Sequence, residues 1–162
     1  MFLHCSLNYT GLNSPGQLAA ICRFASNYGY RVRAVGTGSS WSRLTSTRDI
    51  LIDMKNLNRI LTAKPTNRND NLQKECVDIE VEGGMQVFSF VEKLDKVYGL
   101  ALPMMGNYAG QTMAGVASTS THGSGYFAGT MVCEIHLFGR WGSGDGSLPV
   151  MLHYWFYAPC LQ

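Results

Sequence analysis

Two loops concentrate the residues of this chain that could hold a ligand. The first is Ala34-Val35-Gly36-Thr37-Gly38-Ser39-Ser40, two glycines two apart followed by hydroxyls. Glycine tolerates positive φ, so consecutive N–H groups can turn inward as a nest for phosphate oxygens. The hydroxyls of Thr37, Ser39 and Ser40 would add further donors. The third glycine of a dinucleotide fingerprint is missing, and no lysine follows as in a P-loop. Taken alone, the loop is also compatible with a plain glycine-rich turn after a strand. The second loop runs Ser118-Thr119-Ser120-Thr121-His122-Gly123-Ser124-Gly125. Its four consecutive hydroxyl residues are too polar for a core and too compact for a disordered linker. Small side chains let a flat or extended ligand lie against the backbone while hydroxyls donate to its oxygens. A Ser/Thr-rich surface loop is the competing reading.

Other chemistries find little support. There is no GxSxG elbow and no defensible Ser, His and Asp set. His4, His122, His136 and His153 lack metal-ligand spacing, so no metal site is expected, and only His122 sits in a functional context. Five cysteines without CxxC spacing read as reduced thiols rather than a disulfide framework or zinc cluster. The chain has 162 residues, enough for one domain or two small subdomains. At 46% hydrophobic and 15% charged residues it reads as globular. A net charge of +2 without a basic block argues against nucleic acid as partner. The start lacks a signal-peptide pattern and no stretch reaches the ~18 apolar residues of a membrane span; the location is left open, an intracellular one being favoured over membrane association.

Several elements must position the two loops. Ser14, Pro15 and Gln17 form a helix-start signature, Leu18, Ile21, Cys22 and Ala25 share a helical face, and Gly29 suits a C-terminal cap. Residues 31–35 alternate as a strand leading into the first loop, and residues 49–54 read as another. The interval from Trp41 to Arg48 is too short and polar for a crossover helix, so these strands are not expected to form a Rossmann pair. Residues 64–74 read as a polar connector. Val77, Ile79 and Val81 alternate as a strand ending at Gly83-Gly84, followed by a helix through Val87, Val91, Leu94 and Tyr98 that stops at Gly99. A small-residue helix precedes the second loop, and Met131, Cys133, Ile135 and Leu137 mark a further strand. This irregular alternation suggests an α+β fold.

Together, RVRAVGTGSSWS, DILIDMKNLNRIL, VDIEVEGGMQVFSFVEKLDKVYGLALP and GQTMAGVASTSTHGSG resemble, in order and spacing, the FAD-binding (PCMH-type) domain of the vanillyl-alcohol-oxidase superfamily. The pattern is similar to that of the sugar-lactone and alditol oxidases, and runs from about Pro15 to about Leu137. The resemblance implies two α+β subdomains, residues 1–64 and 65–140, with FAD between them. It implies FAD contacts at Ala34, Val35, Gly36, Thr37, Gly38, Ser39 and Ser40 in the first subdomain. In the second it implies Asn107, Thr112 and Gly115, completed by Thr119, Ser120, Thr121 and His122. The implied activity is a flavin-dependent oxidation of CH–OH groups in sugar lactones or alditols. Family members are often membrane-associated.

The sequence departs from the family at three places. Many relatives carry Gly-x-Gly-His-Ser in the first loop, with that His bonded covalently to the flavin; here Ser39 stands there, and non-covalent FAD is expected. After Leu137 the pattern fades, Gly144-Asp145-Gly146-Ser147 alone resembling a family hairpin, so residues 141–162 are expected to be an atypical tail closing a C-terminally incomplete domain. The substrate-binding cap domain, which supplies the residues acting on the substrate, is not among these residues, so no catalytic residue is assigned. A truncated, catalytically silent FAD-binding or interaction protein is the alternative reading.

Overall fold

The computed structural model describes residues 7–9, 12–65, 76–102, 104–124, 135–138, 153–156 and 158–159. Among the site residues expected from the sequence, all lie within these spans. Met131 and Cys133 of the expected strand, most of the 64–74 connector and most of the 141–162 tail lie outside them.

After the short strand β1 (Leu7–Tyr9), helix α1 spans Pro15–Tyr28. The Ser14 Oγ accepts from the Gln17 N–H at 3.4 Å, and the Gln17 side chain returns to accept from the Asn13 N–H at 2.8 Å. The box therefore closes one residue before the cap. Gly29, at φ 71°, ends the helix in the left-handed conformation that only glycine adopts without strain. Leu18 and Ala25 turn inward onto strands β2 (Val32–Val35) and β3 (Ile50–Asp53), where they join Leu12, Ile50, Ile52 and Leu57 in one buried cluster.

Strands β1, β3 and β2 form a parallel sheet in that order, with Val32 opposite Ile50 and Ala34 opposite Ile52. The β2–β3 pair is a correction to the sequence reading only in part. No helix intervenes, as the short polar interval demands, yet the two strands are parallel neighbours because residues 36–49 make the crossover as an irregular loop. Asp49 and Arg31 clamp its ends: the Arg31 N–H and Nε both donate to Asp49 Oδ2 at 3.0 Å. The Arg33 Nη1 donates to the Leu44 carbonyl at 2.7 Å and fixes its middle.

Strand β4 (Ile60–Pro65), which the sequence reading did not assign, pairs antiparallel with β5 (Cys76–Val81). Strand β5 pairs on its other side with β8 (Ala158–Pro159), while β6 (Ile135–Phe138) and β7 (His153–Phe156) form a two-stranded ribbon. Helix α2 (Val87–Lys93) continues as a π-helical turn through Leu94–Tyr98 to Gly99, at φ 63°. It buries Val87, Phe90 and Leu94 against Ile79, Val81 and Met85 and against Met113 and Val116 of the short helix α3 (Met113–Ser118). This is the second cluster. Its ten buried side chains include Phe90, Ile79, Leu94 and Met113 at 0% exposure, each contributing on the order of 1.5–3 kcal/mol of burial. The sequence reading divided the chain at residue 64, and Ile60 and Ala63 pack on this second cluster.

One ion pair braces the second cluster, and one close backbone contact joins it to the first. Glu82, only 6% exposed, accepts from the Arg59 N–H at 2.9 Å and from its Nη2 at 2.7 Å, tying the start of β4 to the end of β5. Gly84 donates to the Leu57 carbonyl at 2.9 Å, and a Cβ there would overlap the Met54 carbonyl. Only glycine lets this backbone approach so closely.

Candidate functional site

A cavity of about 320 Å³ opens where the first loop faces α3. One wall is Ala34 to Ser40 with Leu44, Thr45 and Met54; the other is Gly83, Gln111, Thr112, Ala114, Gly115, Ser118 and Thr119. The parallel sheet sets the first wall, because the loop leaves β2 at Val35, whose carbonyl accepts from the Met54 N–H at 3.0 Å. The second wall is α3 and the turn before it. The Met113 N–H donates to the Met85 carbonyl at 2.8 Å and the Ala114 N–H to the Gly83 carbonyl at 3.0 Å, pinning the helix start to the end of β5.

The walls meet at two contacts. The Thr37 Oγ1 donates to the Gly110 carbonyl at 2.8 Å. A Cβ on Gly36 would lie 2.7 Å from both Oγ1 and Cγ2 of Thr112, so the main chain of the first loop packs directly on that side chain. Thr112 is itself buried and caps α3, its Oγ1 accepting from the Gly115 N–H at 3.3 Å.

The lining offers main-chain N–H groups beside its hydroxyls and the Gln111 amide. Among the described residues, none of the backbone N–H groups from Gly36 to Ser40 donates a hydrogen bond. Gly38, at φ 74°, supplies the left-handed turn that lets neighbouring N–H groups converge. Among the described residues, no charged side chain lines the cavity. An anion placed there would meet free N–H groups without repulsion from a carboxylate. Among the described residues the lining holds no His or Cys, so its hydroxyls have no base beside them to activate a nucleophile. The Asp49 carboxyl at the loop's end stands below the usual carboxylate range, chiefly because the Arg31 N–H bonds its charged form, with the guanidinium adding to the effect.

Ten of the fourteen residues expected from the sequence line this cavity: Ala34 to Ser40, Thr112, Gly115 and Thr119. Asn107, Ser120, Thr121 and His122 do not. Among these, Thr121 packs against Gly106, and beside His122 the Gly123 N–H bonds the Met104 sulfur at 2.8 Å. Thr121 bonds Thr119 at 3.0 Å, and the His122 Nδ1 donates to the Gly123 carbonyl at 2.9 Å. Sequence reasoning missed Leu44, Thr45, Met54, Gly83, Gln111, Ala114 and Ser118. Gln111, Ala114 and Ser118 lie within the small-residue segment already singled out, and helical spacing puts Ala114 and Ser118 on one face with Gly115 and Thr119 alongside. Leu44 and Met54 carry no such signal. A second hollow of about 270 Å³ shares Gly36, Thr37 and Thr112 with the cavity and is lined further by Lys55, Asn58, Gln86, Ser89 and Lys93.

Residues 9–148 match the family model described as FAD binding domain. The chain belongs to this FAD-binding family. Its cofactor is FAD and its fold is the α+β, PCMH-type FAD-binding fold expected from the sequence. D-arabinono-1,4-lactone oxidase of Candida albicans is 31% identical over 124 residues, which cover 74% of this chain and 22% of the relative. L-gulono-1,4-lactone dehydrogenase of Mycobacterium tuberculosis is 33% identical over 113 residues, 69% of this chain and 24% of the relative. The chain thus spans about a quarter or less of the length of these relatives. Cholesterol oxidase from B. sterolicum shares the fold with a TM-score of 0.70 at 15% identity, covering 96% of this chain and 34% of that one. Among the described residues of the FAD-binding chain, no helix is long and apolar enough to cross a membrane.

Proposed function

We propose that this chain is the FAD-binding portion of a flavin-dependent oxidoreductase acting on CH–OH groups of sugar lactones or alditols. We place its FAD in the cavity between the first loop and α3, without a covalent bond. The observation that carries this reading is the run of unpaired N–H groups from Gly36 to Ser40 in a lining free of carboxylates. It suits a pyrophosphate, and the apolar part of the lining (Val35, Leu44, Met54 and Ala114) suits a flat ring. At about 320 Å³ the cavity is at the small end of ligand pockets of roughly 300–1,000 Å³, so it takes part of a dinucleotide, the rest extending past its rim. The lactone-oxidising names of the relatives support the substrate class.

Ser39 has no imidazole to offer the flavin, so the cofactor is held by contacts alone. When bound, FAD supplies the hydride acceptor for oxidation of the substrate carbon. The residues of this chain hold and orient it: main-chain N–H groups bind the phosphates, and Thr37 and Gly36 fix the separation of the two walls. Among the described residues the lining supplies no base.

The test is the visible spectrum of the protein after incubation with FAD and desalting, then acid precipitation, then anaerobic addition of a sugar lactone to a second sample. A retained flavin spectrum, colour released to the acid supernatant and bleaching by the lactone are expected. Colourless protein contradicts the site, flavin in the washed pellet contradicts non-covalent binding, and no bleaching favours a chain that binds FAD without turnover.

A further inference from the structure

A hydroxyl carries one proton and two lone pairs, and a carbonyl oxygen only accepts. The Thr37 hydroxyl lies 2.8 Å from the Gly110 carbonyl, so its proton is committed there. Its contact with Ser39 Oγ at 2.9 Å must then use the proton of Ser39. On the opposite wall the same arithmetic applies. The Ser118 Oγ donates to the Ala114 carbonyl at 2.8 Å and the Thr119 Oγ1 to the Gly115 carbonyl at 3.0 Å. Four hydroxyls that line the cavity have therefore spent their protons within the protein, and all four retain lone pairs.

We infer that these hydroxyls act as hydrogen-bond acceptors toward the cofactor, Ser39 being the specificity-determining one, and so recognise its sugar-type hydroxyls rather than its phosphates. This rests on the reading that FAD occupies the cavity. It reverses the polarity expected from the sequence, in which Thr37 and Ser39 donate to phosphate oxygens. Phosphate oxygens have no proton to give, and lone pairs of Ser39 facing them repel. The free N–H groups of Gly36 to Ser40 take the anion. The hydroxyl-bearing ribityl chain, which adjoins the flavin ring, donates to Ser39. Thr37 is a positioning residue in this scheme, because its bond to Gly110 is what leaves Ser39 as its donor and therefore the ligand's acceptor.

The experiment measures dissociation constants of the whole chain and of Ser39→Ala for three ligands. These are FAD, an FAD analogue whose ribityl hydroxyls are replaced by hydrogen, and the 2′-deoxyadenosine analogue of FAD. Loss of one such hydrogen bond is expected to weaken FAD about tenfold in Ser39→Ala. With the ribityl analogue the substitution is expected to cost nothing further, whereas with the 2′-deoxyadenosine analogue it is expected to cost the same factor as with FAD. An equal weakening of all three ligands, or no effect on FAD, overturns the inference while leaving FAD binding in place. Failure of the unchanged chain to bind FAD overturns the underlying reading, and the inference with it.

Discussion

Gly36 and Thr112 decide how closely the two walls of the cavity approach. A methyl group at Gly36 would stand 2.7 Å from Thr112 Oγ1, inside van der Waals contact, and would displace the side chain that caps α3. Gly36→Ala is therefore expected to cost about 1–3 kcal/mol of stability by overpacking and cap disturbance, measured by urea unfolding, and to weaken FAD binding in a fluorescence titration. An unchanged midpoint would mean the walls do not rest on this contact. Asp49 gives a pH signature. Its folded pKa lies below its unfolded value, so its contribution is present above the unfolded pKa and is lost as pH falls through the folded one. Stability followed by circular dichroism should drop across the acid side of the ordinary aspartate range, and Asp49→Asn should remove that share of the slope. The same drop in both proteins would contradict the clamp.

At the scale of elements, the turn at Gly83-Gly84 joins the two cores through a close backbone contact. Gly84→Ala sets a Cβ against the Met54 carbonyl, a backbone group that cannot swing aside as a side chain tip would. The expected result is a loss of roughly 3 kcal/mol or more, or a chain that does not fold; a thermal midpoint within a degree or two of the parent would refute it. The sequence made this turn legible as a strand stop, because paired glycines end a strand whatever surrounds them. Helix α1 was legible for a similar reason: Ser14, Pro15, Gln17 and Gly29 are local signals, and local signals suffice for an end. Strand β4 was not, since Ile60 to Pro65 mixes Lys64 and Pro65 with apolar residues and becomes a strand only by pairing with β5. The parallel pairing of β2 and β3 was also hidden, because an irregular loop made the crossover that a helix usually makes. In the cavity, the glycine loop and Thr112 could be read from motif, whereas Leu44 and Met54 arrive by tertiary folding alone. The hydroxyl polarity of Ser39 was unreadable too, for it depends on a carbonyl at Gly110 far away in sequence.

For the molecule as a whole, the site belongs to neither core alone. The first cluster positions the glycine loop and the second positions α3, with Thr37, Gly36 and Gly84 spanning them. A ligand that touches both walls binds only the folded arrangement, so FAD at a hundred times its dissociation constant should add about 2.7 kcal/mol to stability. Calorimetry with and without FAD checks this, and equal transitions would contradict it. Amide hydrogen exchange locates the effect most directly. With FAD present, protection should rise in residues 34–40 and, together with them, in residues 111–119. Protection confined to one wall, or appearing elsewhere in the chain, would contradict a cofactor held between the two.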